Sequence, residues 1–171
     1  MMPTQKAFDT FEYANSIDLS KYSAILAVGG DGSYFEVVNG MLMRDDGLRL
    51  PIGVVPNGSG NSVGYNLGIE SVDEAMDTVI AATASKFDIT RVLADTEKEE
   101  DVPLGRAGYD KRIYSLCAIA GGWGPDLANF AIPLKPYLGT GAYLLYFLKM
   151  MIFSRPLQVF DAEIDGEKWI N

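Results

Sequence analysis

The 171-residue sequence contains no histidine and only one cysteine, Cys117. The absence of histidine excludes Ser-His-Asp and Cys-His catalysis, histidine-ligated zinc and a histidine pH switch. A single cysteine cannot form a disulfide within the chain, which favours a reducing compartment. Any catalysis must therefore use carboxylates, backbone amides and an external metal ion.

Positive charge and long apolar runs are also scarce. The chain contains 14 lysines and arginines and 23 acidic residues, which gives a net charge of −9. A basic nucleic-acid-binding surface is therefore not expected. Residues 1–12 are polar and lack the apolar core of a secretory signal. The most apolar stretch, residues 143–153, is eleven residues long and contains Lys149, which is too short and too interrupted to span a bilayer. We expect a cytoplasmic protein, with peripheral membrane association left open.

The composition, 48% hydrophobic and 22% charged, is typical of a globular protein with a core. Apolar runs typical of buried parallel strands alternate with helix-like segments in the first half of the chain. A capping-box pattern, Ser71 followed by Glu74, predicts the start of one of these helices. The predicted strands are residues 23–28, 51–55 and 87–92, and the predicted helical segments are 34–43, 62–67 and 71–84.

The second half of the chain has a different pattern. An acidic stretch at residues 95–101 is interpreted as a solvated connection. After it, the sequence predicts a strand, a glycine-rich turn, a helix, and a hairpin turning at Asp165-Gly166. These lie at residues 111–119, 120–126, 137–153, and 158–164 with 168–171. The predicted fold is an α/β protein, in which an open parallel-sheet nucleotide-binding lobe (1–110, incomplete at its N-terminus) continues into the start of an antiparallel β lobe (111–171).

Two glycine-rich loops follow the first two predicted strands directly. They are Gly29-Gly30-Asp31-Gly32-Ser33 and Pro56-Asn57-Gly58-Ser59-Gly60-Asn61. Loops at the carboxyl ends of parallel strands line the ligand crevice, and glycine lets backbone N–H groups approach a phosphate. Each loop alone is also compatible with a plain turn. Two of them after successive strands favour a nucleotide-phosphate site, although neither is a Walker A or a G-x-G-x-x-G motif.

These motifs resemble the catalytic domain shared by diacylglycerol, sphingosine and ceramide kinases. Family members combine a Gly-Gly/Ser-Asp-Gly loop, a Glu-Val-x-Asn-Gly helix and a Pro-x-Gly-Ser/Thr-Gly-Asn loop. The corresponding residues here are 29–33, 36–40 and 56–61. The resemblance weakens over residues 71–84 and returns at 87–89 and at Ala-Gly-Gly-Trp-Gly-Pro-Asp, residues 120–126.

The resemblance implies ATP-dependent phosphorylation of a lipid hydroxyl, with sphingosine or diacylglycerol as the substrate, and Mg²⁺ on the phosphates. By this analogy Asp31 is the general base, which agrees with the need of phosphoryl transfer for one carboxylate and charge stabilisation. The residues that would surround the nucleotide are Gly29, Gly30, Gly32, Ser33, Pro56, Asn57, Gly58, Ser59, Gly60 and Asn61.

The predicted substrate residues are Trp123, Asp126 and Phe147. In sphingosine kinases an aspartate in a Trp-Gly-x-x-Ala-Asp segment holds the lipid head group, and by this analogy Asp126 would be the substrate-side carboxylate. Asp126 could instead cap a turn. The apolar helix around Phe147 fits either a wall of the acyl-chain pocket or a helix buried between lobes.

Other residues of the motifs are expected to be structural. Glu36 and Asn39 lie one turn apart on the same side of a helix, and both could order the first loop. The Asp-Gly-Glu at residues 165–167 is interpreted as a hairpin turn. The sequence also departs from the family pattern: the phosphate-contacting arginines of sphingosine kinases would align near Pro136 and Ala142, where only Lys135 is basic.

Two rival interpretations stay open at this stage. One is a small-molecule kinase such as an NAD kinase or phosphofructokinase, against which the second loop argues. The other is a non-catalytic fragment that binds a nucleotide or a lipid. No Asn-Pro-x-x-Gly loop precedes residue 23, and the β-rich lobe would be cut short. We therefore expect a fragment of a lipid kinase that is inactive alone.

Overall fold

The computed structural model describes residues 1–93, 112–119, 123–152 and 161–170. These divide into two compact units, Met1–Ala118 and Ile119–Asn171. The predicted acidic connection at 95–101 lies outside the described residues. So do the first residues of the predicted glycine-rich turn, 120–122.

The first unit alternates helices and strands. A 3₁₀ turn, Leu19–Lys21, follows its first helix. Its elements are α1 (Asp9–Ser16), β1 (Ile25–Gly29), α2 (Asp31–Leu42), β2 (Ile52–Pro56), α3 (Ser62–Asn66), α4 (Val72–Ile80), β3 (Thr90–Leu93) and β4 (Arg112–Ser115).

Strands β1 and β2 form the parallel pair on which the unit is built. Ile25 lies opposite Ile52, and Gly29 lies opposite Pro56. Strands β3 and β4 pair antiparallel. The mixed α/β prediction with a parallel sheet is therefore confirmed. Since parallel strands end at the same edge, both glycine-rich loops leave the sheet side by side.

The core of this unit lies between the parallel pair and α2. Its buried cluster consists of Ala14, Ala27, Tyr34, Val37, Val54 and Val63. The prediction that β1 is buried on both faces is wrong, because Leu26 and Val28 are 43% and 53% exposed. In the described part of the chain, α2 covers the Ala27 face. On the opposite face, Val79 of α4 lies near Gly53 and Leu26.

Helix α1 was not predicted, because residues 1–12 are polar. It packs closely on α2, where the Phe11 carbonyl leaves no room for a side chain at Gly40. Asn15 Nδ2 donates to the Gly40 carbonyl at 3.1 Å. The Arg44 guanidinium donates to the carbonyls of Ala14, Asn15 and Ile17 at the end of α1. These are the carbonyls that a helix C-terminus leaves unpaired.

Helix α4 begins as predicted. The Ser71 side chain accepts the Glu74 N–H at 3.2 Å, and the Glu74 carboxylate accepts the Ser71 N–H at 3.1 Å. This is the reciprocal capping box that the spacing indicated. The helix ends at Ile80, short of the predicted residue 84, and Ala82 adopts a positive φ of 48°. A residue in that conformation cannot continue the helix.

Asn39 connects α2 to β4 through a fully buried carboxamide. Its Nδ2 donates to the Tyr114 carbonyl at 2.9 Å, and its Oδ1 accepts the Tyr114 N–H at 2.9 Å. Both backbone polar groups of a residue 75 positions away are thus satisfied by one side chain. Asn39 is structural, as expected, but it holds β4 rather than the first loop.

The second unit begins with two helices, α5 (Trp123–Leu138) and α6 (Gly141–Ile152). Helix α5 was not predicted, and Trp123 to Asp126 belong to its first turn instead of a loop. Pro133 and Pro136 lie inside α5, and proline normally argues against a helix. The predicted helix 137–153 begins only at Gly141, because Gly139 turns the chain with a φ of 53°.

The strands β5 (Asp161–Ile164) and β6 (Glu167–Ile170) pair antiparallel. Asp165 and Gly166 between them both have positive φ, 53° and 84°. That geometry is the two-residue turn preferred in hairpins. The predicted hairpin, including its turn at Asp165-Gly166, is therefore confirmed.

We expect Asn39→Ala to lower the free energy of unfolding by about 2–4 kcal/mol, because it leaves the N–H and the carbonyl of Tyr114 without their side-chain partner. Each unpaired group destabilises the fold by about 1–3 kcal/mol. Denaturant unfolding of the wild type and the variant measures the loss. Asn66→Ala is the control, since Asn66 is exposed at the end of α3. Equal losses for the two variants would contradict the role assigned to the Asn39 carboxamide.

Candidate active site

The first predicted loop, residues 29–33, and the second, residues 56–61, meet at the ends of β1 and β2. The Asn57 N–H donates to the Gly29 carbonyl at 2.8 Å. A Cβ at Gly58 would lie 2.5 Å from the Gly30 Cα, and a Cβ at Gly30 would lie 3.1 Å from the Gly58 Cα. The two backbones therefore touch at a point where only glycine fits.

Asn61 holds the second loop closed. Its Oδ1 accepts the Gly58 N–H at 2.8 Å, and its Nδ2 donates to the Gly58 carbonyl at 2.9 Å. The residue adopts the left-handed conformation, φ 53° and ψ 35°, directly before α3. Asparagine tolerates this conformation better than most residues. The side chain predicted to contact a nucleotide thus also shapes its own loop.

Asp31 of the first loop is also the first residue of α2, and its carboxylate lies against the second loop. Its Oδ1 accepts the Val63 N–H from the first turn of α3 at 2.9 Å. Its Oδ2 would lie 3.0 Å from a Cβ placed on Gly60. These contacts with the second loop and with α3 fix the position of the carboxylate. Because Asp31 is also partly exposed, solvent or a ligand can still reach it.

Two further titratable groups lie near Asp31. Burial, and then the Asp31 charge, raise the pKa of the Tyr34 hydroxyl. The same two causes, in the same order, raise the pKa of the Cys117 thiol, which lies just beyond β4. Sequence reasoning used Cys117 only to infer the redox compartment. Its position near Asp31 depends on the tertiary link between α2 and β4, which no local pattern reveals.

A cleft of about 380 Å³ opens beside the first loop. Ser33 and Glu36 of α2 form one side, and the N-terminal segment forms the other. The Thr10 hydroxyl donates to the Glu36 carboxylate across it. The N-terminal residues lining the cleft are Thr4, Gln5, Lys6, Ala7 and Thr10, none of which was predicted as a site residue. Their polar composition gave no signal that distinguishes a site from a solvated terminus.

The three predicted substrate residues lie in the second unit. Trp123 and Asp126 share the first turn of α5, where Asp126 is partly exposed. Phe147 is exposed on α6, whose buried residues are Ala142 and Tyr146. The other exposed large apolar residues of α6 are Leu144, Leu145, Leu148, Met151 and Ile152. These six residues of α6 are called the apolar arc.

The described ranges contain neither a metal-binding cluster nor a membrane-spanning helix. No cluster of three or more cysteine or acidic side chains is arranged to hold a metal ion among residues 1–93, 112–119, 123–152 and 161–170. None of the helices placed there is both long enough and apolar enough to cross a bilayer.

Comparisons with known proteins agree on one family. Residues 1–92 match the family model described as the diacylglycerol kinase catalytic domain. The chain is 33% identical over 147 residues to sphingosine kinase 1 of Arabidopsis thaliana, covering 84% of this chain and 28% of that protein. It is 33% identical over 168 residues to diacylglycerol kinase of Bacillus subtilis (strain 168), covering 96% and 48%.

A solved structure shows the same fold. The crystal structure of a diacylglycerol kinase from Bacillus anthracis str. Sterne superposes with a TM-score of 0.58 at 19% sequence identity. The match covers 98% of this chain and 50% of that one. The chain thus spans half or less of the length of these relatives.

We expect Gly58→Ala to destabilise the protein by about 1–3 kcal/mol, because the added methyl group would force the two loops apart. Gly32→Ala is the matched control: a Cβ there meets no atom within 4 Å. Alanine at this exposed helical position should be neutral or slightly stabilising. Thermal unfolding of both variants measures the difference, and a wild-type melting temperature for Gly58→Ala would show that the contact is unimportant.

Proposed function

Because the chain belongs to the family of the diacylglycerol kinase catalytic domain, we propose that it carries the nucleotide-binding lobe of an ATP-dependent lipid kinase. The reaction is transfer of the γ-phosphate to a lipid hydroxyl, and its acceptor is sphingosine or diacylglycerol. Residues 1–110 would supply most of the nucleotide site. Residues 111–171 would begin the lipid-binding lobe.

The observation that carries this proposal is the meeting of the two glycine-rich loops around Asp31. The loops approach each other without intervening side chains at Gly30 and Gly58. A phosphate can come close to a backbone that has no Cβ, and its N–H groups then stabilise the negative charge. A carboxylate at the same place, oriented by the Val63 N–H, can serve as the base that phosphoryl transfer to a hydroxyl uses.

The cleft beside the first loop supports nucleotide binding. The cleft opens next to Ser33, so it continues directly from the first of the two loops that are proposed to hold the phosphates. Its volume of about 380 Å³ falls in the range of small-molecule pockets. Lys6 and Glu36 both line the cleft, so it has one basic and one acidic lining residue. We infer that part of the nucleotide occupies this cleft.

Asp31 would act as the general base. Its carboxylate takes the proton of the lipid hydroxyl while the hydroxyl oxygen attacks the γ-phosphorus. The bond from that phosphorus to the β–γ bridging oxygen breaks, and ADP leaves. The hydrogen bond from Val63 N–H to Oδ1 fixes the orientation of the carboxyl group. Oδ2 lies near Gly60, at the loop proposed to hold the phosphates. A base held in this way can be aligned before substrate arrives.

Mg²⁺ is the ion expected with the nucleotide, where it would neutralise phosphate charge. The described loops offer it one carboxylate, Asp31. Proteins commonly hold Mg²⁺ through one or two carboxylates together with the substrate phosphates. The donor set therefore fits an ion carried mainly by the nucleotide, and it does not fit a separate site built from protein side chains alone.

The second unit would supply the lipid side. The apolar arc of α6 presents six exposed apolar residues, with the exposed Lys149 one turn from Leu145 and Ile152, which suits contact with acyl chains or with a membrane surface. Trp123 and Asp126 would lie at the head group. This arrangement supports transient, peripheral membrane association, through which the enzyme would reach its substrate.

Asp31→Asn should lower kcat by about 10²–10⁴-fold, because amides do not accept a proton at neutral pH and a positioned base contributes about that much. ATP affinity should stay nearly unchanged, since asparagine keeps the size and the acceptor for Val63 N–H. Steady-state kinetics and ATP titration of the protein expressed from its complete reading frame test this. Asp45→Asn, at an exposed turn, is the control. Near-normal turnover of Asp31→Asn would remove Asp31 from the base role.

Asp126→Asn distinguishes the two lipids. A sphingosine ammonium paired with this carboxylate gains about 1.5–3 kcal/mol, so its loss should weaken sphingosine use roughly ten- to a hundred-fold. Diacylglycerol has no amine, and its use should hardly change. Paired assays of both lipids on wild type and variant measure the ratio. Equal losses on the two lipids would leave Asp126 as a helix-terminal residue without a head-group role.

A further inference from the structure

Tyr34 lies on α2, one turn after Asp31, and its side chain is fully buried. Its hydroxyl donates to the Gly29 carbonyl at the end of β1, with an O–O distance of 2.7 Å. The sequence motifs assigned no role to this residue. A buried hydroxyl directed at the loop that carries the proposed base is more than core packing, because a phenylalanine would fill the same space.

The Gly29 carbonyl is where three elements meet. It accepts the Tyr34 hydroxyl from α2 and the Asn57 N–H from the second loop, at 2.7 and 2.8 Å. The next carbonyl, that of Gly30, accepts the Ser33 and Tyr34 N–H groups that close the first turn of α2. Asp31 directly follows these two glycines at the end of β1. The orientation of the peptide that precedes it is therefore fixed by hydrogen bonds to the carbonyls of both Gly29 and Gly30.

The Tyr34 hydroxyl also remains a hydrogen-bond donor over a wide pH range. Burial and the nearby Asp31 charge both raise its pKa, so it stays protonated at neutral pH and well into the alkaline range. A carbonyl can only accept, and the protonated phenol is the form that donates to it. The contact thus persists at every pH at which a carboxylate base would work.

We propose that Tyr34 is a positioning residue for Asp31, acting through the Gly29–Gly30 peptide. This inference rests on the proposed function of the site. The second loop has its own brace, because Asn61 holds Gly58 through two hydrogen bonds. Loss of the Tyr34 hydroxyl should therefore misplace the base while the second loop keeps its shape.

The first test is Tyr34→Phe in the protein expressed from its complete reading frame. We expect kcat to fall roughly tenfold to a hundredfold, the cost of misplacing a reacting group by up to about 1 Å. The KM values for ATP and lipid should stay within about threefold, because only the transition state needs an aligned base. Tyr146→Phe is the matched control: Tyr146 is equally buried, and its hydroxyl has no partner in the described part of the chain.

A double variant separates positioning from general destabilisation. In the Asp31→Asn background, Tyr34→Phe should cause no further loss of turnover, since there is no base left to position. An additive loss, a wild-type kcat for Tyr34→Phe, or a rise of the ATP KM that accounts for the whole effect would each overturn the inference.

Hydrogen exchange gives a readout that does not depend on catalysis. The Val63 amide, bonded to Asp31 in the wild type, should exchange at least several-fold faster in Tyr34→Phe and at the wild-type rate in Tyr146→Phe. Unchanged exchange at Val63 in Tyr34→Phe would overturn the inference. A wild-type protein that phosphorylates neither lipid would instead overturn the proposed function, and the exchange result would still decide the role of Tyr34.

Discussion

The site depends on a contact between two stretches of backbone that carry no side chains. Parallel pairing of β1 and β2 ends with Gly29 opposite Pro56. The chain therefore turns out of the sheet after each strand, and the two turns lie at the same edge. Gly30 and Gly58 let the two turns touch. Because they touch, the amide of Val63 lies within hydrogen-bond distance of the Asp31 carboxylate. The position of the proposed base is thus a consequence of how closely two loops can pack, and it needs no charged partner.

Helix α2 is the element to which the rest of the first unit is attached. Its Glu36 accepts the Thr10 hydroxyl from α1, its Tyr34 holds the end of β1, and its Asn39 holds β4. The three residues lie within six positions and point to three different neighbours. The motif that resembles lipid kinases therefore combines the proposed chemistry at its N-terminal end with structural hydrogen bonds along its length. Leaving a buried polar group unpaired costs free energy, so the bonds of Tyr34 and Asn39 each favour one arrangement of the neighbouring element.

Local signals in the sequence were sufficient for much of this fold. The capping box at Ser71 and Glu74, the turn at Asp165-Gly166 and the two apolar strands each carry their conformation in a few adjacent residues. Helix α5 was missed because Pro133 and Pro136 argue against a helix when neighbouring packing is unknown. The exposed face of β1 and the cleft lined by Lys6 depend on which elements meet in space. So do the hydroxyl of Tyr34 and the proximity of Cys117 to Asp31. The order of residues along the chain contains no short-range signal for such contacts.

The bond between α2 and β4 has a further physical consequence, because both partners are uncharged. The fully buried Asn39 side chain and the backbone of the half-buried Tyr114 exchange two hydrogen bonds between neutral groups. Mobile counterions screen exposed ion pairs, such as the one between Lys21 and Asp18, but not a buried link without net charge. In a chain with a net charge of −9, the joint that keeps β4 on α2 is therefore insensitive to ionic strength, whereas the surface pairs around it weaken as salt is added.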